Sequence, residues 1–284
     1  MAVNDGEVAP VTALSGLAFA SLAPDPIPES DGGEAGWLAH RRAEHRQHLE
    51  DLNAAFVAWR TRPPAGDRPL AALVGALGLS ATETVAVALT CAVETDPMAA
   101  RVMAWLQAPV GGSRPLAGLV ATLGKRLGDA APLNVLAAGA AGAVGLIRLE
   151  GDSHPLPESS VTIPQPLVLA LANPPAVVWP GLKLGVRDLP LFPPRVREEA
   201  ASRARAILRG AVSTIAVRSG HPREARAAAA EICAALHRRP LLLEGPPPPG
   251  LGPWLFLASA VPVICTELAP GERRAIAEIP GWAG

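Results

Sequence analysis

Between Thr214 and Leu243 the chain reads TIAVRSGHPREARAAAAEICAALHRRPLLL. An apolar run, a tight polar turn, an Ala-rich helix and a second apolar run give the layout of a phosphate-binding β-loop-α-β unit. Such a loop has the form GxxxxGK[ST]. Its glycines let backbone N–H groups converge on phosphate oxygens, its lysine reaches the outer phosphates and its hydroxyl holds magnesium. The matching window here is GHPREARA, Gly220 to Ala227. Gly220 keeps the entry glycine. Ala225 stands at the second glycine, where a methyl disfavours φ > 0 and meets the phosphate. Arg226 replaces the compact ammonium with a planar fork, which pairs anions differently. Ala227 removes the magnesium ligand. Arg223 and Glu224 lie inside the loop, and the glutamate opposes a triphosphate. The helix N-terminus retains its positive dipole end, so weak anion binding stays open.

The partners that phosphoryl chemistry needs are also missing. Hydrolysis requires an acidic pair after an apolar strand, to hold magnesium and orient water. WLFLAS and VPVICTE are the apolar runs available, and only the single carboxylate Glu267 follows one of them. Ten residues separate Leu243 from Trp254, too few for the helix and loops that precede such a strand. His40, His45 and His48 lie on one helical stretch, but Arg41, Arg42 and Arg46 oppose a cation there and no third ligand has metal spacing. No GxSxG nucleophile motif occurs. Cys91, Cys233 and Cys265 are far apart in apolar settings and predict buried free thiols in a reducing compartment.

The 284 residues suffice for two domains, and 49% of them are apolar. Tyr is absent and aromatics are scarce, so the core must be built from Leu, Val and Ala. Arg greatly outnumbers Lys, since Lys125 and Lys183 are the only lysines. With the Ala, Gly and Pro load this reads as the codon bias of a GC-rich bacterial genome. A formal net charge of −1 gives no whole-chain attraction to nucleic acid or membrane. There is no basic n-region with an apolar stretch behind it, and Leu14–Leu22 is too short to cross a bilayer. A soluble, cytoplasmic protein is expected.

Residues 1–33, rich in Pro, Asp, Gly and Ser, read as a disordered tail with one sticky segment at Leu14–Leu22. Trp37 to Trp59 reads as one helix, from the spacing of Leu38, Leu49, Leu52, Phe56 and Trp59. Short helices follow. Ser80 and Glu83 form an S-x-x-E capping box before ATETVAVALTCAVE. Asp96 caps the helix that Pro97 opens. Arg114–Leu123 and Ala131–Ala141 complete the set. Strands are expected at Val144–Leu149 and Val161–Ile163, then a short element at Pro166–Ala172. Several helices followed by a β-ribbon is a winged-helix plan. Its candidate recognition helices carry Ala, Leu, Gly and Val where base readout needs Arg, Lys, Asn or Gln. Nucleic acid is therefore disfavoured as a partner.

A Pro-rich linker is expected at 173–194, then an amphipathic Arg-rich helix at Arg195–Arg209. Beyond it come strand Ser213–Val217, helix Glu224–Leu236 and strand Pro240–Leu243. Two further strands, Trp254–Ala258 and Val261–Cys265, and a helix at Gly271–Ala277 close the chain.

The segment from Ala71 to Trp105, with its successive LGLS, AVALTCAVE, TDP and AWLQ, resembles the N-terminal domain of bacterial AAA+ ATPases that carry a winged-helix-like module before the ATPase core. RPLAGLVATLG fits the same plan, and PLLLEG resembles the second strand of that core. The resemblance covers roughly residues 37–243, and less of 253–284. It implies an α/β protein. A mainly helical winged-helix-like domain at 34–172 would precede a shortened, P-loop-like α/β remnant at 195–284. Such ATPases are associated with phage-tail-like contractile injection systems. The chain departs from them at Arg223, Ala225 and Ala227, and it lacks a recognisable acidic strand, arginine finger and helical lid. The expectation is a pseudo-ATPase without a required cofactor, acting as a scaffold or assembly factor. Its partners would be injection-particle components or an intact ATPase, and not a membrane. Gly220, Arg223, Ala225, Arg226 and Ala227 are where residual ATP or ADP would sit.

Overall fold

The Ser80–Glu83 capping box forms, and it does more than start a helix. In the computed structural model the Ser80 hydroxyl accepts the Glu83 amide, and the Glu83 carboxylate accepts the Ser80 amide at 2.9 Å. The structure describes residues 13–28, 33–151, 153–172, 178–185, 192–269 and 271–282. It falls into two compact units, Met1–Pro174 and Pro175–Gly284. The protein is mainly helical with small sheets, consistent with the α/β class expected.

The first unit is built around the helix that this box opens. Its helices run α1 Ala13–Leu22, α2 Gly33–Glu44, α3 Arg46–Leu49, α4 Leu52–Thr61, α5 Arg68–Leu77, α6 Ala81–Thr95 and α7 Pro97–Leu106. Then come α8 Ala117–Arg126, α9 Pro132–Ala138, α10 Ala140–Ala143, strands β1 Arg148–Glu150 and β2 Ser160–Thr162, and α11 Gln165–Ala172. Of the 15 residues of α6, 13 are buried. Its alanines, valines and threonines are small enough for neighbours to approach on every side. Glu83, 2% exposed, also accepts the Ala141 amide at 2.7 Å with its other oxygen. Next to it, the Thr82 amide and hydroxyl both donate to Asp129 in the turn between α8 and α9. Gly124 and Gly139 make these approaches feasible: a Cβ on the first would strike Thr82, and on the second Glu83 and the Val135 carbonyl.

Where composition predicted a tail through residue 33, the structure places α1 in the core, with eight of its ten residues buried. A helix with no polar face has no stable position at a surface. Averaging over a Pro- and Asp-rich stretch hid it. Asp67, fully buried, accepts the Leu14 amide at 3.0 Å and the Trp59 indole N–H at 2.7 Å. At the other end of α1 the Arg126 guanidinium donates to the Ser21 carbonyl, a cation at a helix C-terminus. The single helix expected from Trp37 to Trp59 is broken at His45 and at Asp51, whose carboxylate caps α4 through the Ala54 amide. Continuous apolar spacing concealed both breaks.

The strands sit close to where they were expected. β1 and β2 pair antiparallel, Leu149 opposite Val161. Leu116 adds a single bridge to Ser160, just before α8. In chain order α6 is followed by α7, the bridging Leu116, helices α8, α9 and α10, and the β1–β2 hairpin. β1 begins four residues later than expected because the chain first turns back, the Leu146 and Ile147 amides donating to the Ala141 carbonyl.

The second unit holds β3 Lys183–Leu184, α12 Pro194–Leu208, α13 Pro222–Ala235, β4 Arg239–Leu243, α14 Leu251–Leu257 and β5 Ala260–Ile264. The sheet order is β3–β4–β5, antiparallel then parallel. Three expectations are corrected here. Ser213–Val217 is not a strand, Trp254–Ala258 lies largely in helix α14, and Gly271–Ala277 is not a helix. An apolar run of five has no period that separates a strand from a buried helix. Trp254, fully buried in an edge-to-face contact with Trp179, shows the helical outcome. The βαβ unit present is thus β4–α14–β5, one element later than the one predicted. Arg239 donates to Ser259 and Cys265 to Leu243, so the odd residues of β5 face β4 and Pro262 faces outward. A proline on the free edge removes a donor and discourages a further strand.

Glu83→Gln keeps the shape but turns an N–H toward one of two amides, so it should cost roughly 2 kcal/mol. Ser80→Ala should cost about 1 kcal/mol, the value of an ordinary cap. Urea midpoints of the two variants check the order. A second test uses His45, whose ring lies against Gly16 of α1. Burial, with the charges of His48 and Arg41 adding to it and Glu44 opposing it, holds its pKa below the usual histidine value of 6.5. The folded state favours the neutral ring. This contribution is full above the unfolded pKa and is lost as pH falls from there through the folded pKa. Thermal stability should therefore fall as pH drops below the ordinary histidine pKa, read as a lower midpoint, and His45→Gln should flatten that slope.

Candidate functional site

The candidate loop lies at the start of α13, whose N-cap is His221 and whose first helical residue is Pro222. Three fates account for amides that a phosphate loop would present. The His221 amide donates to the Ser219 hydroxyl at 3.1 Å. Pro222 has no N–H. The Glu224 and Ala225 amides donate to the His221 carbonyl at 3.0 and 3.2 Å. The Ser219 hydroxyl in turn donates to the Glu224 carboxylate at 2.9 Å, which fixes a negative charge beside the helix start. That carboxylate favours the helix dipole but repels an anionic ligand at the same place.

Each predicted position can be located. Gly220 has no positive φ, and a Cβ there would meet nothing within 4 Å, so neither conformation nor space demands glycine. Arg223 is exposed and Ala225 half-buried. Arg226 is ion-paired with Glu244 at the end of β4, Nη2 to Oε1 3.0 Å, with both side chains partly exposed. Ala227 is fully buried. A small side chain is needed there for α13 to lie against the sheet. The five residues share one helix start, but they form no cradle: one points to solvent, one to Glu244 and one into the core. Glu267 is exposed beyond the end of β5.

Sequence reasoning missed Glu244 as the partner of Arg226. The two are 18 residues apart, and only the packing of α13 beside β4 brings them together. The available signal was an acid directly after an apolar strand.

The other constellations resolve similarly. His40 pairs with Glu44 at 3.4 Å, and the His45 and His48 rings lie 6.1 Å apart, tilted. Among the described residues no group of three or more His, Cys, Asp or Glu is placed to hold a metal ion. Cys91 and Cys233 are buried as expected, whereas Cys265 is partly exposed at the end of β5. Burial, with Glu94 adding to it, pushes the Cys91 thiol up to about 12. Burial pushes the Cys233 thiol up to about 11. Both are held as unreactive thiols.

On the first unit, α8 and α9 enclose an open groove of about 270 Å³ that includes Thr122, Lys125, Pro132, Leu133 and Asn134. The outward residues of α9 are Asn134, Ala137 and Ala138. The connection between β1 and β2 begins after Glu150 and contains exposed Glu158. Among the described residues no helix is long and apolar enough to cross a membrane. No family model, no curated protein and no solved structure matches this chain.

Thiol labelling of the native protein at mildly alkaline pH should modify Cys265 rapidly, with Cys91 and Cys233 reacting only on unfolding. Two or more fast thiols would contradict the burial described.

Proposed function

We propose that this protein is a non-hydrolysing relative of AAA+ ATPases that works by protein contact, as a scaffold or assembly factor. Contractile-particle assembly in the bacterial cytoplasm is the context that the resemblance of residues 37–243 favours. The observation that carries the reading is the Arg226–Glu244 ion pair. The one cation in the position of the nucleotide-binding lysine is neutralised by the protein itself. Beside it the His221, Glu224 and Ala225 amides are occupied, and Ala227 offers no metal ligand. Such a site lacks the oriented positive charge that stabilises a transferring phosphoryl group.

Protein contact is favoured over nucleic acid by the first unit. Its bridging Leu116, helices α8 and α9 and the β1–β2 hairpin support the winged-helix reading, with α7 and the short α10 additional to that plan. A DNA-reading helix of that plan presents Arg, Lys, Asn or Gln to base edges. Here the equivalent face offers Asn134 among alanines, and the hairpin loop is acidic. Phosphate contact with such a surface would be weak at physiological salt.

The purified chain, incubated with ATP and magnesium, should release no phosphate above the uncatalysed background. Turnover that Arg226→Ala abolishes would overturn the reading. Calorimetric titration with ATP and ADP, expected to give no heat of binding, separates a structural helix start from a residual nucleotide site.

A further inference from the structure

The charge of this chain is divided. Residues 175–284 hold 14 Lys and Arg against nine Asp and Glu, while residues 1–174 hold 11 against 17. The near-zero total conceals a basic second unit. Much of that excess lies on α12, whose inner face buries Ala200 and Ala204. On the outside, Arg195, Arg197 and Arg205 are exposed and have no ion-pair partner among the described residues. Arg203 is paired with Glu199 at 2.8 Å.

The end of α12 is rigidly set. The Ala211 amide donates to the Ala206 carbonyl at 3.0 Å and the Gly210 amide to the Ile207 carbonyl at 2.8 Å, with Gly210 at φ 68°. This is a Schellman termination, and it fixes the last turn. Arg209 bends back so that its Nε donates to the Arg205 carbonyl at 3.2 Å. Set in that turn is Leu208, 71% exposed, the most exposed large apolar side chain among the described residues. Val212, 40% exposed, follows it. A termination of this kind usually points its apolar residues inward. Here a leucine stands in water between two arginines.

Leucine flanked by arginines fits one kind of occupant. A nucleic acid would use the arginines but gain little from Leu208, and the chain has no tyrosine to stack on bases. A carboxylate pairs with guanidinium in a fork, and an apolar side chain gives Leu208 a partner. We infer that the last two turns of α12, Arg205, Leu208 and Arg209 with Val212, dock an acidic amphipathic helix of a protein partner. Leu208 enters its apolar stripe, and the arginines pair with carboxylates on either side. This rests on the protein-contact reading above and names the chemistry of the partner.

The test uses the full chain and a fluorescein-labelled helical peptide of about 18 residues. It carries leucines on one face and glutamates along the borders. Binding should appear in anisotropy and weaken roughly tenfold for Leu208→Ser and for the double variant Arg205→Gln/Arg209→Gln. Replacing the peptide's glutamates with glutamine should weaken it comparably, whereas Arg223→Ala should leave it unchanged. The altered side chains are exposed, so the thermal midpoint of each variant should match the parent. Equal affinity for the glutamine peptide, or for the Leu208→Ser chain, would overturn the proposal. So would duplex DNA bound through the same arginines while Leu208→Ser is silent. Self-association of the parent that Leu208→Ser abolishes would make the occupant a second copy and overturn it too. Absence of any peptide binding, with no ATP turnover, would remove this docking surface and leave the non-hydrolysing reading standing.

Discussion

The first unit depends on one buried carboxylate. Glu83 starts α6 by capping it and, with its other oxygen, accepts the amide at the start of α10. A charge 2% exposed is costly unless hydrogen bonds surround it. These amides supply that solvation, so the helix start and the α9–α10 junction must be placed together. Asp129 and Thr82 repeat the arrangement one residue away and fix the α8–α9 turn. The small residues of α6 then let the remaining helices close around it. Asp67 does the same for α1, joining its N-terminus to the indole of Trp59. Three carboxylates thereby decide the arrangement of a core whose apolar residues are mostly interchangeable Leu, Val and Ala.

The second unit is simpler and is satisfied differently. Its sheet has three short strands, and the parallel pair is joined through a helix buried on nearly all sides. Pro262 blunts the outer edge of β5, so the small sheet is closed to extension on that side. The helix α13 lies along β4 with its start near the strand's end, a place where α/β proteins often bind ligands. In this protein that place is occupied by internal partners: Arg226 with Glu244, and Ser219 with Glu224 and His221. The positive charge of the unit is instead turned outward along α12.

Local signals were legible wherever the chemistry was local. The capping box at Ser80, the Asp96 cap with Pro97, and the long helices at α12 and α13 follow from spacing and termini. The departures of Gly220–Ala227 from a working phosphate loop, at Ala225, Arg226 and Ala227, were visible as residue types. The misread elements share one cause. At α1 and α14 a short apolar run carries no periodicity, so helix and strand, or core and tail, differ only in what surrounds them. Ser213–Val217 has strand composition, but strand formation needs a neighbour, and the sheet ends elsewhere.

The sequence by itself determined that a helical region precedes an α/β region, that aromatic packing is minor, and that the window Gly220 to Ala227 lacks the second glycine, the lysine and the hydroxyl of a phosphate loop. Those are statements about residue types and near neighbours. Tertiary structure alone decided that Glu83 reaches Ala141, that Asp67 holds α1, that Arg226 is spent on Glu244, and that Leu208 stays in water. Each joins residues distant in the chain, or depends on what fails to cover a side chain. Hydrogen-bond satisfaction and burial are set by the assembled backbone, and no spacing rule along the chain contains them.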